Sequence, residues 1–146
     1  MFVLTSQDES GRDNACIINT AFQVSSNPFR IAISSQDHNL TREIIEKTGK
    51  FNISVLDKNV PFETIKRFGF QSGRDVDKLN GYKNVKRSAN GLVYITENTN
   101  AYFSVKVDNS INLGSHTLFV GEVSEAINLS KEESCTYAYY HKAIKK

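Results

Sequence analysis

Short segments rich in β-branched and aromatic residues recur along almost the whole chain, and Gly, Asn, Asp or Ser separates each from the next. Such segments favour β-strands, whereas the separating residues favour turns. The pattern predicts strands over residues 2–5, 15–25, 30–34, 51–56, 92–96, 101–107 and 117–127. It predicts turns at 7–14, where Gly11 can take a positive φ, at Pro28, and at 98–100 and 108–110.

One segment has the period of a helix rather than that of a strand. Asn39 is a suitable N-cap, and Gly49 occupies the position after the last turn where a left-handed residue ends many helices. The predicted helix covers residues 39–47, and its apolar stripe consists of Leu40, Ile44 and Ile45.

A second short helix is predicted to begin at Pro61, in the first helical position, and to end at Gly69. Residues 136–144 contain three tyrosines and a histidine and fit either a strand or a short helix. Regularly spaced antiparallel strands with so few helices predict a mainly β fold, either a closed barrel or a sandwich. A doubly wound α/β fold requires more crossover helices than this chain supplies.

The length and charge of the chain restrict its class. A chain of 146 residues fits one domain, which we place at 1–146. Its net charge of +2 gives no indication of nucleic-acid or anionic-membrane binding, and no apolar run reaches the ~18 residues that span a bilayer. Because no signal peptide is visible, we expect a cytoplasmic location, where Cys16 and Cys135 remain free thiols.

The sequence lacks the nucleotide-binding motifs G-x-G-x-x-G and Walker A, the esterase motif G-x-S-x-G and the zinc motif H-E-x-x-H. The three histidines, His38, His116 and His141, fall in different predicted elements. We therefore predict no metal site. Any catalytic chemistry has to come from residues that are distant in sequence.

Asn19 and Thr20 interrupt the apolar run of their predicted strand. One interpretation is that they lie on the polar, outward face of a barrel strand. The other is that their side chains and main chain bind a polar heterocycle, with Ala21 leaving room for a planar ring. The residues by themselves support both interpretations.

The segment 34–41 passes from the end of a predicted strand to the start of the first helix. Free backbone N–H groups and the helix dipole make such a place suitable for a phosphate group. Ser34, Ser35 and Thr41 offer hydroxyl donors there. A simpler interpretation is that Asn39 and Thr41 only cap the helix, and the two roles are compatible.

The segment 68–78 contains two glycines, two cations and two carboxylates. Arg74 or Lys78 can neutralise a phosphate. Alternatively, the segment is an exposed loop with weak local ion pairs, Arg74 with Asp77 or Lys78 with Asp75.

His116 precedes the apolar run of the last long strand. It is either a hydrogen-bonding residue at a strand end or a residue that positions a nucleotide. We interpret Tyr137, Tyr139 and Tyr140 as core and interface residues rather than as ring-stacking ones.

Six segments in order resemble the flavin reductase-like family of FMN-binding split-barrel proteins, which includes flavoredoxin and ferric-reductase-type flavoproteins. They are the segments 19–23, 39–41, 54–56, 67–70, 114–123 and 136–141. The resemblance extends through nearly the whole chain. It implies a mainly β Greek-key split barrel with two or three short helices, and a homodimer with FMN at its interface.

The resemblance also implies roles for individual residues. The flavin ring would lie against the segment that follows Asn19, namely Thr20, Ala21, Phe22 and Gln23. The phosphate and ribityl chain would contact Ser34, Ser35, Asn39 and Thr41. Four residues would close over the cofactor, namely Phe70, Ser72, Arg74 and Lys78. His116 would stand near the approaching nicotinamide and is the candidate catalytic residue.

The implied activity is hydride transfer from NADH or NADPH to bound FMN, with delivery of electrons to flavin, ferric iron or a partner redox protein. The alternative is an FMN electron carrier without appreciable NAD(P)H activity. A third hypothesis, a small barrel that binds single-stranded nucleic acid, would require aromatic residues along a basic groove. Relatives usually carry a segment before the first strand, and some continue into a rubredoxin module. This chain shows neither, so we expect any iron-containing partner to be a separate protein.

Overall fold

The structure is a computed structural model that describes residues 1–146. It contains nine strands and three short helices, the last of which continues into a π-helical turn. In chain order the elements are β1 (Phe2–Gln7), β2 (Asp13–Ile18), β3 (Ala21–Ser26), β4 (Phe29–Gln36), α1 (Leu40–Thr48), β5 (Lys50–Leu56), α2 (Phe62–Gly69), β6 (Val85–Arg87), β7 (Val93–Ile95), β8 (Thr99–Asn112), β9 (His116–Asn128), α3 (Tyr137–Tyr139) and the turn Tyr140–Ile144.

Seven strands form one antiparallel sheet in the order β2-β1-β5-β8-β9-β4-β3, and β6 pairs with β7 in a separate ribbon. The strands β2 and β3 follow each other in the chain but form the two opposite edges of the sheet. The sheet therefore does not close, and the chain crosses the opening at Asn19 and Thr20. The mainly β split-barrel fold with a few short helices is confirmed, whereas a fully closed barrel is not formed.

Several sequence-based boundaries were wrong. The predicted turn at 98–100 belongs to β8 from Thr99 onward. The segment 15–25 was predicted as one strand, but it divides between β2 and β3. Residues 108–110 were predicted as a turn, but they lie inside β8, where the pairing with β9 shifts register between Val107 and Asn109. A β-bulge accommodates these polar residues in the exposed half of a long hairpin. The hairpin turns further along, where Gly114 has φ 106°.

The capping predictions for α1 are confirmed. The Asn39 side chain accepts a hydrogen bond from the Thr41 backbone N–H at 2.8 Å, and Gly49 is left-handed with φ 72°. Pro61 lies at the N-cap of α2 rather than at its first helical position. The ambiguous C-terminal segment is helical, and Thr136 caps it by accepting a hydrogen bond from the Tyr139 N–H at 3.0 Å.

The sheet buries apolar side chains on both faces, in agreement with the two-residue period of a strand. Val3 belongs to a cluster that α2 and the C-terminal turn cover, whereas the neighbouring Leu4 belongs to a second cluster that contains Ile45 of α1. Both clusters reach the end of β2, so the two layers of the core meet next to the opening of the sheet. No helix is both long and apolar enough to cross a membrane.

Candidate functional site

A cleft of about 270 Å³ opens beside the gap in the sheet. Its walls come from the ends of β2 and β4, the start of α1, the end of α2 with the loop that follows it, and the C-terminal turn. Half of its lining residues are hydrophobic. Seven of the residues singled out in the sequence line it together, namely Asn19, Ser34, Ser35, Asn39, Phe70, Lys78 and His116.

The polar part of the cleft lining includes Ser35, Asn39 and Lys78. Ser35 is only 2% exposed, and its hydroxyl oxygen has no hydrogen-bond partner. A buried polar atom without a partner carries a cost in free energy that a bound ligand can remove. Asn39 lies at the N-terminus of α1, where the helix dipole favours negative charge.

Lys78 is 95% buried, since its exposed fraction is 5%, although lysine is rarely found inside proteins. Its ammonium group donates one hydrogen bond to the Phe68 carbonyl oxygen at 2.9 Å. Burial lowers the pKa of Lys78 below its ordinary value, because the charged form loses hydration. No carboxylate forms a salt bridge with this ammonium group. An anion bound in the cleft would supply the missing negative charge.

Thr41, which was expected to contact phosphate, lies behind the cleft wall. It is fully buried, and its hydroxyl oxygen accepts a hydrogen bond from Asn14 Nδ2 at 3.0 Å. Cys16 lines the cleft in front of it. Burial raises the pKa of the Cys16 thiol, and hydrogen bonding with Thr41 and the charge of Lys78 partly oppose this rise. Thr41 therefore supports the cleft wall from inside the protein.

The apolar part of the cleft lining includes four aromatic residues, namely Phe68, Phe70, Tyr137 and Tyr140. Phe70 is 60% exposed and packs edge-to-face on Phe62, with ring centroids 5.7 Å apart. Tyr137 and Tyr140 stack at 6.3 Å between centroids, and both line the cleft. A lining with both aromatic and polar parts suits a flat apolar molecule that carries a polar tail.

His116 begins β9 and pairs in register with Gln36, which also lines the cleft. Its Nδ1 lies 2.9 Å from the hydroxyl oxygen of Ser115. His116 is therefore at a strand end, as one interpretation proposed, and it lines the cleft. Its role in positioning a nucleotide stays a prediction.

Four residues expected at the flavin ring do not line this cleft. Ala21, Phe22 and Gln23 line a second, mainly apolar hollow of about 190 Å³ with Phe29 among its walls. Thr20 lies in the segment between the two edge strands, where its hydroxyl donates to Asn19 Oδ1 at 3.1 Å. Within one chain, the segment 20–23 and the cleft are thus separate.

Ser72 and Arg74 also lie outside the cleft lining. The Ser72 hydroxyl accepts a hydrogen bond from the Arg74 N–H at 3.1 Å, and the Arg74 guanidinium forms a salt bridge with Glu43 in the first turn of α1. The ion pairs with Asp77 and Asp75 considered from sequence are not formed. The loop is attached to the start of α1 instead.

Close packing fixes the same loop against β2. Arg12 Nη2 donates to the Gly73 carbonyl oxygen at 2.9 Å. A Cβ atom at Gly73 would collide with the Asn14 side chain, which explains the glycine at this position. Because Lys78 is at the end of this loop, these contacts help to hold its ammonium group beside the cleft.

Several lining residues were not predicted as site residues, among them Cys16, Gln36, Tyr137 and Tyr140. The two tyrosines had been interpreted as core and interface residues. A usable signal existed for the tyrosines, because residues three apart share one face of a helix. No comparable signal exists for Cys16 and Gln36, whose side chains reach the cleft only through sheet pairing. No three His, Cys, Asp or Glu side chains are grouped as a metal site would require.

The comparisons with known proteins agree with this fold. The family model described as "Flavin reductase like domain" matches residues 1–146. The chain is 40% identical over 141 residues to the high molecular weight rubredoxin of Moorella thermoacetica, covering 97% of this chain and 61% of that protein. It is 36% identical over 141 residues to the ferric-chelate reductase (NAD(P)H) of Archaeoglobus fulgidus, covering 97% of this chain and 82% of that protein.

Among solved structures, the FMN-binding protein of Thermus thermophilus with bound p-hydroxybenzaldehyde superposes with a TM-score of 0.76. The two sequences are 25% identical, and the match covers 86% of this chain and 69% of that one. The chain thus spans less than two thirds of the length of the rubredoxin relative and most of the other two proteins.

Proposed function

This chain belongs to the flavin reductase-like domain family, and from that premise we propose that it is an FMN-binding oxidoreductase. In this proposal it transfers a hydride from NADH or NADPH to bound FMN and passes the electrons to flavin, ferric iron or a partner redox protein. The similarity to a ferric-chelate reductase (NAD(P)H) supports the reductase class. The whole of residues 1–146 would form one FMN-binding domain.

The observation that carries the proposal is that Ser35 lines the cleft and has a buried hydroxyl group without a hydrogen-bond partner. A phosphate oxygen is an acceptor that this hydroxyl lacks in the free protein. Lys78 and the start of α1 contribute positive charge to the same cleft. The residues present therefore fit the phosphate end of FMN.

Other residues of the lining fit a flavin ring. Phe70, Tyr137 and Tyr140 offer apolar faces, and exposed Asn19 offers an amide that can donate to and accept from a heterocycle. When bound, FMN supplies the chemistry of hydride acceptance and electron release, which the amino-acid side chains cannot provide.

The protein's own part in the reaction is binding and orientation. Lys78 and Ser35 would hold the phosphate, and the aromatic walls would exclude water from one side of the cleft. His116 can donate a hydrogen bond to the nicotinamide nucleotide as it approaches. These roles raise the effective concentration of the two reactants and fix their relative orientation.

We also propose a homodimer with FMN at its interface. The edge strand β3 is mostly exposed on both faces, and it presents Phe22 and Val24 with exposed fractions of 52% and 46%. Natural proteins rarely leave an apolar edge strand uncovered. Pairing of two chains through this strand would bring the 20–23 segment of one protomer towards the cleft of the other.

A cytoplasmic location accompanies this proposal. Both cysteines, Cys16 and Cys135, are buried with free thiols. Free thiols are typical of a reducing compartment.

The experiment begins with the colour of the purified protein and the FMN that heat releases from it. The protein is then mixed anaerobically with NADH or NADPH, and the flavin absorbance is followed in time. Rapid bleaching supports the reductase. Dithionite serves as the control, because bound FMN that dithionite bleaches and neither nucleotide bleaches favours the electron carrier. Colourless protein that also fails to take up added FMN contradicts both alternatives.

A further inference from the structure

Asp37 lies in the connection between β4 and α1 and contacts the turn that carries His116. Its backbone N–H donates to the Ser115 carbonyl oxygen at 2.9 Å. Its carboxylate accepts hydrogen bonds from the Thr117 hydroxyl at 3.2 Å and from Asn112 Nδ2 at 3.4 Å. Asp37 therefore bonds to the residues immediately before and after His116.

Helix α1 holds Asp37 in its turn. Arg42 Nε donates to the Asp37 carbonyl oxygen at 2.9 Å, and the same nitrogen lies 3.9 Å from the Asp37 carboxylate. The Arg42 side chain is only 17% exposed and also pairs with Glu46 one turn later. The hairpin turn is thereby connected through Asp37 to the helix whose N-terminus lines the cleft.

Little apolar packing holds the hairpin turn itself. Leu113 is 62% exposed, and its N–H donates to the His116 carbonyl oxygen at 2.8 Å. The Gly114 N–H donates to Asn112 Oδ1 at 2.9 Å. Polar contacts must therefore fix the place of the turn. Beside the strand pairing of His116 and Thr117 with β4, the contacts from outside the hairpin are those made by Asp37.

We propose that Asp37 is a positioning residue for His116. It does not line the cleft, and it acts by holding the backbone on both sides of the imidazole against the start of α1. The functional consequence rests on the proposed approach of the nicotinamide nucleotide at His116. Misplacement of a catalytic group by about 1 Å can cost a hundredfold in rate.

The test compares Asp37→Ala with two other variants. Asp108→Ala is the matched control. Asp108 of β8 also pairs with an arginine, Arg30 of β4, and its side chain is similarly exposed, 39% against 42% for Asp37. Asp37→Asn keeps a side-chain oxygen that can accept the same hydrogen bonds, so it tests whether this acceptor is enough to keep the turn in place. Thermal unfolding of each variant establishes that it is folded.

The first measurement is amide hydrogen exchange by NMR, which does not depend on flavin reduction. In Asp37→Ala we expect the Leu113 amide to exchange about tenfold faster, because the turn opens more often. Asp37→Asn and Asp108→Ala should remain near the wild-type rate. The second measurement is anaerobic reduction of bound FMN, where only Asp37→Ala should slow, by about ten- to a hundredfold, at saturating nucleotide.

Unchanged exchange at Leu113 in Asp37→Ala would overturn the proposal, as would a loosened turn with wild-type reduction. If neither nucleotide reduces the FMN bound to the wild-type protein, the proposed reductase function is wrong, independently of the role of Asp37. The exchange data then still decide whether Asp37 holds the turn.

Discussion

At the scale of single residues, two buried hydroxyl groups have no hydrogen-bond partner, those of Ser6 and Ser35. They differ in place, because Ser35 lines the cleft and Ser6 does not. Comparing the two serines therefore separates the effect of an unpaired buried hydroxyl on stability from its effect on ligand binding.

We expect Ser35→Ala to leave the ligand-free protein as stable as the wild type or about 1 kcal/mol more stable, because an unpaired buried hydroxyl is removed. The same change should weaken FMN binding about ten- to a hundredfold, through loss of a hydrogen bond to a charged phosphate. Urea unfolding and fluorescence titration with FMN measure the two effects. Ser6→Ala should have the same effect on stability as Ser35→Ala, but it should not weaken FMN binding. Equal FMN affinities for both variants and the wild type would exclude Ser35 from the phosphate site.

The buried Lys78 predicts a pH effect. Its folded-state pKa is lowered by burial, whereas lysine in an unfolded chain titrates near ~10.4. Between these values the unfolded state binds more protons, so this residue makes the free energy of unfolding rise with pH. We expect that rise to disappear in Lys78→Met.

The measurement is the difference in unfolding free energy between wild type and Lys78→Met from neutral to alkaline pH. Groups that are present in both proteins contribute equally and cancel in this difference. One of them is Tyr140, whose pKa is raised by burial and whose contribution to the free energy of unfolding therefore falls with pH. Lys106→Met, which removes a lysine from an exposed position, is the control for the substitution itself. A pH-independent difference for Lys78→Met would show that its ammonium group is hydrated in the folded state.

At the scale of elements, a buried polar network attaches the β6–β7 ribbon to the sheet. Asn52 is fully buried, and its Nδ2 donates to Ser88 Oγ at 2.8 Å and to the Val93 carbonyl oxygen at 3.1 Å. Its Oδ1 accepts from Asn90 Nδ2 at 3.0 Å. One side chain thus satisfies groups from β7 and from the turn that joins β6 to β7.

Asn52→Leu should lower the free energy of unfolding by about 3 kcal/mol, because several buried polar groups lose their partner at once. Chemical denaturation measures the loss, and amides of β6 and β7 should lose protection before those of the main sheet. Asn128→Ala, at the exposed end of β9, is expected to change stability by less than about 0.5 kcal/mol. A loss that small for Asn52→Leu would mean that the ribbon is held by apolar packing alone.

At the scale of the whole molecule, the open edge of the sheet decides how two copies would associate. Val24 on β3 and Ile111 near the end of β8 are equally exposed, both at 46%. They lie on different elements, and only Val24 belongs to the edge strand proposed as the interface.

Val24→Asp should weaken the proposed dimer at least tenfold, because a buried unpaired carboxylate at an interface is costly. Sedimentation equilibrium over a range of concentrations measures the dissociation constant, and release of FMN should follow the loss of dimer. Ile111→Asp should leave the dissociation constant unchanged. The interface lies elsewhere if Ile111→Asp dissociates the dimer and Val24→Asp does not.

The sequence by itself determined the local features of this protein. The alternation of strands and turns and the helix α1 with both its caps were predicted because propensities and capping hydrogen bonds act over a few residues. Prediction failed at residues 108–110, where a shift in pairing with a partner strand turned an expected turn into a β-bulge. Strand pairing is a long-range property that local sequence does not fix.

Only the tertiary structure decided how the candidate site is assembled. It brought Asn19, Ser35, Lys78 and His116 into one cleft from four separate parts of the chain and placed the segment 20–23 in another hollow. It also buried Lys78, which its polar surroundings in sequence gave no reason to expect. The physical reason is that the direction of a side chain depends on register, twist and packing across the sheet, and these are set by contacts between residues far apart in the sequence.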